Sequence, residues 1–99
     1  MRLEVLSVAD REFDKEKKNY EKRLVGLGLR FAQAVDECYV NITQWPDVYR
    51  QLKGGYRQRG VRVFPYAVIY KVHQDVIYII AIAPCRRRPY YWRRRKIPE

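Results

Sequence analysis

The chain has 99 residues, 47% of them hydrophobic, which is enough for one compact domain with a single modest core and too little for a second catalytic lobe. We therefore expect one domain over residues 1–99. No apolar run approaches the roughly 20 residues that span a bilayer, and the N-terminus lacks the apolar stretch of a secretory signal. These features predict a cytoplasmic protein without a membrane partner.

The formal net charge of +10 comes from the second half of the chain. Residues 1–50 contain nine Lys/Arg and nine Asp/Glu, whereas residues 51–99 contain twelve and two. Such one-sided positive charge attracts a polyanion or an acidic protein by long-range steering, and the attraction weakens with salt. The charge pattern alone leaves both kinds of partner open.

The first half of the chain predicts a strand followed by a helical hairpin. The strand is expected over Arg2–Val8, and a charge-rich helix with a solvated face over about Ala9–Leu24. Gly26 and Gly28 interrupt the helical pattern. Apolar residues then recur every three or four positions, which predicts a second helix that stops before Pro46. The expected buried faces consist of Ala9, Phe13, Tyr20 and Leu24 in the first helix and Leu27, Phe31, Val35, Cys38 and Ile42 in the second.

The second half predicts three consecutive antiparallel strands. A strand over Tyr56–Val63, with Gly60 expected to mark a bulge, leads into a hairpin of Phe64–Val72 and Val76–Ala83. The last strand carries no charge over eight residues, which predicts a central strand buried on both faces. The expected fold class is α+β: an N-terminal strand and a two-helix hairpin packed on an antiparallel sheet, followed by a basic C-terminal tail.

The densest positive charge follows this central strand directly. Arg86, Arg87 and Arg88 leave the end of a rigid strand together, which forms a platform for phosphate. The same arginines favour the thiolate of Cys85, but no base is evident beside it, so a nucleophilic role is not expected. Two cysteines and a single histidine are too few to form a typical set of metal ligands, and we predict no metal or other cofactor.

The last residues, PYYWRRRKIPE, combine aromatic and basic side chains. We expect Trp92, with Tyr90 and Tyr91, to fold back over the sheet edge or the first helix and to leave residues 93–96 exposed. The alternative is an aromatic platform that stacks a nucleic-acid base. Trp45, at the end of the second helix, is expected to cover the core.

Two segments resemble the RelE/ParE toxin superfamily. The segment VFPYAVIYKVHQDVIYIIAIAPCRRRPYYW is similar to its C-terminal signature of R-R-F-P-Y, a hairpin, two arginines, a proline and a tryptophan. The segment NYEKRLVGLGLRFAQAVDECYVNITQWPDVY is similar to its pattern of helix, G-L-G, F, helix and Pro. The resemblance implies a RelE/ParE-like fold and the toxin of a bacterial type II toxin–antitoxin pair. It also implies a cognate antitoxin that is acidic in the segment that binds the toxin.

The superfamily divides between ribosome-dependent mRNA endonucleases, like RelE, and inhibitors of DNA gyrase, like ParE. The resemblance to the nucleases implies catalytic roles for Arg62 and Arg86. This sequence departs from them at Ala67, where they have arginine, near Gln58 and Gly60, where they have lysines, and at Trp92, where they have tyrosine. Residues expected to contact phosphate or a partner are Arg59, Arg87, Arg88, Tyr91 and Trp92.

Three hypotheses for the activity stay open. In the first, the chain cuts ribosome-bound or free mRNA, and His73, Lys71, Tyr90 or Tyr91 replaces the usual base. In the second, it inhibits DNA gyrase by protein binding and needs no catalytic group. In the third, the arginines only receive the acidic antitoxin and the chain has lost its toxicity.

Overall fold

The computed structural model describes residues 1–98. Its elements follow the predicted order, with one short strand added before the three predicted ones. In chain order they are β1 (Arg2–Val5), α1 (Ser7–Arg23), α2 (Leu27–Gln44), β2 (Arg50–Gln51), β3 (Tyr56–Gly60), β4 (Tyr66–His73) and β5 (Val76–Pro84). Across the described residues, no helix is both long and apolar enough to cross a bilayer.

The five strands form one sheet in the order β1-β5-β4-β3-β2. The predicted α+β class is confirmed, and the sheet is mixed, because β1 pairs parallel to β5 while the other pairs are antiparallel. The β4–β5 hairpin turns at Gln74 and Asp75, whose positive φ angles suit a two-residue hairpin loop. The predicted bulge at Gly60 is wrong, since β3 pairs with β4 in an unbroken register that includes Gly60, and the register shift lies between Ile69 and Tyr70 in the β4–β5 pair.

One face of the sheet packs against the two helices. Phe31 and Val35 of α2 belong to the same buried cluster as Tyr66, Val68 and Tyr70 of β4. The ring centroids of Phe31 and Tyr66 lie 5.2 Å apart in an edge-on arrangement, which is a favourable aromatic geometry. The periodicity of α2 and the alternation of β4 therefore predicted this core correctly.

The opposite face of the sheet is covered by residues 86–98, which we call the tail. Trp92 is 3% exposed and packs in a second buried cluster with Ile69, Tyr78 and Ile80. Its ring centroid lies 4.7 Å from that of Tyr56. The prediction that Trp92 packs is confirmed, but it packs on the face of the sheet instead of its edge. The central strand β5 is thus buried on both faces, as predicted.

Three predictions fail near the ends of elements. The strand predicted over Arg2–Val8 stops at Val5, because α1 already begins at Ser7. Leu24 was expected on the buried face of the first helix and is 60% exposed, and Trp45 was expected to cover the core and is 59% exposed. Both follow the last residue of a helix, where the chain turns away from the packed face.

The turn between the helices is organised by Glu21. Its two carboxylate oxygens accept hydrogen bonds from the Gly26 N–H at 3.1 and 3.0 Å, and Oε1 also accepts one from the Gly28 N–H at 3.0 Å. Gly26 has a φ of 90°, which glycine adopts without strain. A Cβ at Gly28 would lie 2.8 Å from the carbonyl oxygen of Lys17, so the close approach of the two helices requires glycine there.

Candidate partner-binding surface

A cavity of about 410 Å³ lies between the tail and the sheet. Its floor includes Ala67 and Ala83, which are directly opposite each other on β4 and β5 and leave space above the sheet. Arg50, Arg87 and Arg88 also line it, and none of its lining residues is acidic. We call it the arginine cavity. Guanidinium groups that have no carboxylate among them, beside an apolar floor, favour a ligand with an anionic and an apolar part.

Two backbone hydrogen bonds position the arginines after β5. The N–H of Cys85 donates a hydrogen bond to the carbonyl of Pro65 at 2.9 Å, which holds this segment against the start of β4. The N–H of Arg87 donates to the carbonyl of Pro84 at 3.0 Å. The Arg87 guanidinium then lies 3.7 Å from the ring centroid of Tyr91, a cation–π contact that orients it. The three consecutive arginines at the start of the tail are all exposed.

Arg59 and Arg62 lie at a different place, beside α2. Arg62 lines a separate cavity of about 180 Å³ and is 3.5 Å from the carboxylate of Glu37. Arg59 is 3.7 Å from the same carboxylate, and its guanidinium lies 5.5 Å from the ring centroid of Tyr49. Arg86 lines neither cavity. The two residues predicted as a catalytic pair, Arg62 and Arg86, are therefore not gathered in one cavity.

Glu12 of α1 binds the tail to the sheet. Arg95 donates two hydrogen bonds to its carboxylate at 2.8 and 2.9 Å, and the Tyr91 hydroxyl donates a third at 2.7 Å. Arg95 also donates to the carbonyl of Ile80, while the Ile82 N–H donates to Glu12. These bonds occupy the edge of β5 beyond the end of β1. Arg95 was expected to be exposed, but its side chain is only 18% exposed because of this network.

Two of the side chains considered as a base, His73 and Lys71, lie away from the arginine cavity. β4 begins at Tyr66 near the cavity and ends at His73, and seven steps of about 3.3 Å separate them by roughly 23 Å. The Lys71 ammonium lies 4.7 Å from the ring centroid of Tyr56. Neither residue lines the arginine cavity.

The other two, Tyr90 and Tyr91, line the cavity but have engaged hydroxyls. The Tyr90 hydroxyl accepts a hydrogen bond from the Lys53 N–H at 3.1 Å. The Tyr91 hydroxyl donates to Glu12, and burial, followed by this bond, raises the pKa of Tyr91 above its usual value. A phenol with a raised pKa stays protonated at neutral pH, so Tyr91 is a poor base there.

The two cysteines differ in their surroundings. Cys38 is fully buried, as predicted, and burial raises the pKa of its thiol. Its sulfur contacts the carbonyl oxygen of Gly60 at 3.6 Å. Cys85 is exposed and lines the arginine cavity.

Residues 3–89 match a family model described as the ParE toxin of the type II toxin–antitoxin system parDE. The chain belongs to this ParE toxin family. Its fold matches a solved structure described as the chromosomal ParDE TA system from P. aeruginosa, with a TM-score of 0.77 and 19% sequence identity over 85% of this chain and 95% of that chain. No curated protein sequence matches. The protein is therefore the toxin component of a type II system and has a cognate antitoxin as its partner.

Three residues that shape the surface of this ParE-family toxin were missed by sequence analysis. Arg50 reaches the arginine cavity from the two-residue strand β2, which is too short to leave a pattern. Glu12 resembles the other acidic residues of a charged helix. Arg95 was one of the basic residues 93–96 that were all expected to be exposed. Only the fold brings Glu12 and Arg95 together.

Proposed function

We propose that this ParE-family toxin inhibits growth by binding DNA gyrase and does not cleave RNA. The resemblance to ParE implies gyrase as the target. The observation that carries the proposal is the lining of the arginine cavity, which offers cationic groups but no histidine, lysine or carboxylate that could act as the base. Cleavage of RNA without a metal needs a base to activate the 2′-hydroxyl group, whereas inhibition by binding requires only a complementary surface.

The exposed arginines of the cavity are suited to binding the acidic antitoxin. Arg87 and Arg88 are exposed and line a cavity that contains no carboxylate. We propose that an acidic segment of the antitoxin enters this cavity, with carboxylates on the arginines and an apolar side chain on Ala67 and Ala83. Exposed ion pairs contribute only about 0–1 kcal/mol each, so the apolar contact supplies most of the affinity and the charges mainly raise the association rate.

A supercoiling assay tests the choice of target. Purified toxin added to bacterial DNA gyrase and relaxed plasmid is expected to block supercoiling, and the same toxin is expected to leave mRNA intact in a translating extract. Position-specific RNA cuts with normal supercoiling would support the nuclease hypothesis instead. Unimpaired growth after induction, with neither effect in vitro, would support a chain that has lost its toxicity.

The double variant Arg87→Ala/Arg88→Ala tests whether the antitoxin binds at the arginine cavity. We expect association with the cognate antitoxin to slow by about three- to tenfold at low salt and to become less sensitive to salt, because two steering charges are removed. Dissociation should change less. The measurement is association kinetics at two salt concentrations.

The matched control is Arg11→Ala/Lys18→Ala, which removes the same charge from exposed positions on α1. Equal slowing in both variants would mean that net charge alone steers association. Unchanged kinetics in the cavity variant would show that the antitoxin does not use these arginines.

A further inference from the structure

Tyr91 connects the arginine cavity to the hydrogen bonds that hold the tail. Its side chain lines the cavity, and the Arg87 guanidinium lies 3.7 Å from the centroid of its ring. Its hydroxyl donates a hydrogen bond of 2.7 Å to Oε2 of Glu12. Glu12 itself does not line the cavity. One tyrosine therefore links a carboxylate of α1 to a cationic group of the cavity.

Glu12 gives this hydroxyl a fixed acceptor, because other groups also bind both of its carboxylate oxygens. Oε1 accepts hydrogen bonds from the Ile82 N–H at 3.1 Å and from Arg95 at 2.8 Å, and Oε2 accepts one from Arg95 at 2.9 Å. Ile82 belongs to the central strand β5. The backbone of the sheet thus sets the position of the carboxylate, and the carboxylate sets the position of the Tyr91 hydroxyl.

The Tyr91 hydroxyl remains a donor at neutral pH. Burial, followed by the hydrogen bond to Glu12, raises the pKa of Tyr91 above its usual value. The phenol therefore keeps the proton that this bond requires. Its contact with Arg87 is a cation–π contact with a neutral ring, which leaves the positive charge of the guanidinium uncompensated.

Arg87 depends on this ring for its orientation. The ion pairs found among residues 1–98 do not include Arg87, and no acidic residue lines the cavity. An exposed arginine without a partner samples many rotamers, and ordering it on binding costs conformational entropy. The Tyr91 ring restricts Arg87 before a ligand arrives. Arg88, the other arginine that enters the cavity from the tail, has no such contact among the cation–π pairs of residues 1–98.

We infer that Tyr91 is a positioning residue of the arginine cavity, which holds the Arg87 guanidinium in place for an anionic partner while Glu12 fixes the Tyr91 ring. The inference deepens the proposed function, in which an acidic antitoxin segment enters this cavity, and it rests on that proposal. Long-range steering depends on the charge of Arg87 and not on its orientation. The lifetime of a complex depends on contacts made at short range. Positioning therefore acts on dissociation.

The test is Tyr91→Leu, which removes the ring and keeps every arginine. Dissociation of the cognate antitoxin is expected to become about two- to threefold faster, while the association rate and its salt dependence stay as in the wild type. In an Arg87→Ala background the same change should add nothing, because no guanidinium is left to orient. In an Arg88→Ala background it should have its full effect. A ring that contacts the antitoxin directly would speed dissociation in both backgrounds and overturn the inference.

The NMR signals of the Arg87 guanidinium report its position without any partner. The ring current of Tyr91 is expected to shift these signals relative to those of Arg88, and the difference should disappear in Tyr91→Leu. Tyr91→Phe keeps the ring and loses only the hydrogen bond to Glu12. It should show a smaller shift than the wild type and an intermediate dissociation rate. A full wild-type shift in Tyr91→Phe would overturn the role of Glu12.

The matched control is Tyr49→Leu, which removes another partly buried tyrosine beside an arginine. The Arg59 guanidinium lies 5.5 Å from the centroid of that ring, and both residues are outside the arginine cavity. Antitoxin dissociation from Tyr49→Leu should equal that from the wild type. Equal acceleration by Tyr49→Leu and Tyr91→Leu would assign the effect to general loss of an aromatic ring and overturn the inference.

Docking of the tail is checked by acrylamide quenching of Trp92 in a Trp45→Phe background, since Trp92 is 3% exposed. If Tyr91→Leu exposes Trp92, the Arg87 signal in Tyr91→Phe decides. Unchanged dissociation and an unchanged Arg87 signal in Tyr91→Leu overturn the inference and leave the proposed function intact. Unchanged antitoxin kinetics in Arg87→Ala/Arg88→Ala would instead overturn the proposed use of the cavity, together with the part of the inference that rests on it.

Discussion

Replacing Val35 with aspartate is expected to leave no cooperatively folded protein. Val35 is 1% exposed and lies in the main core between α2 and the sheet. A carboxylate placed there loses its hydration and gains no partner. Substitutions of this kind cost about 4–5 kcal/mol or more, which approaches the roughly 5–15 kcal/mol that stabilises an ordinary domain. Far- and near-ultraviolet circular dichroism during thermal melting is the measurement.

Val40→Asp is the control, because Val40 lies on the same helix and is 56% exposed. It makes the same chemical change without burying the charge, so its stability should stay within about 0.5 kcal/mol of the wild type. A soluble Val35→Asp protein with a cooperative transition near that of Val40→Asp would contradict the packing of α2 on the sheet.

Replacing Glu12 with alanine is expected to detach the tail and destabilise the domain by about 3 kcal/mol. The change leaves the Arg95 guanidinium partly buried without its carboxylate, and it removes the acceptor of the Tyr91 hydroxyl and the Ile82 N–H. Breaking one side of such a pair is costly because the remaining charge is desolvated and unpaired. For a chain of this size, the loss corresponds to a fall of roughly 12–24 °C in melting temperature.

Glu4→Ala provides the comparison, since Glu4 forms an ion pair with Arg2 in which the side chains are 44% and 68% exposed. Its loss should cost about 0–1 kcal/mol. The double variant Glu12→Ala/Arg95→Ala should cost less than the sum of its single variants, because the second change removes the unpaired charge. Equal effects of Glu12→Ala and Glu4→Ala would show that Glu12 does not hold the tail.

The local pattern of apolar residues in the sequence was sufficient to predict the helices, the long strands and the main core. The stripe of Phe31, Val35, Cys38 and Ile42 follows helical spacing, and alternating residues of β4 follow strand spacing. Both periods arise from backbone geometry within one element, so they can be read without knowing the neighbouring elements. The resemblance to the RelE/ParE superfamily was likewise carried by the residues alone and is confirmed by the family match over residues 3–89.

The candidate site could be predicted in part. The exposed arginines after β5 follow from the sequence, because a charged run after an apolar strand must leave the core. The surroundings of the predicted site arginines were not predictable: Arg87 and Arg88, after β5, face a cavity without acidic residues, whereas Arg62, between β3 and β4, is near Glu37 of α2. Which arginine keeps its charge uncompensated depends on carboxylates that come from other elements of the fold.

The position of the tail was set by contacts between residues far apart in the chain. Glu12 and Arg95 are 83 residues apart, yet their hydrogen bonds hold the tail at the edge of β5. Trp92 is buried because β4 and β5 present a second apolar face, which becomes available only once the sheet has formed. Periodicity describes one element at a time, so it predicted that Trp92 would pack without predicting the face on which it packs. The tail becomes ordered only on the assembled sheet, because Trp92 packs on β4 and β5 and Arg95 reaches Glu12 only when the sheet and α1 are in place.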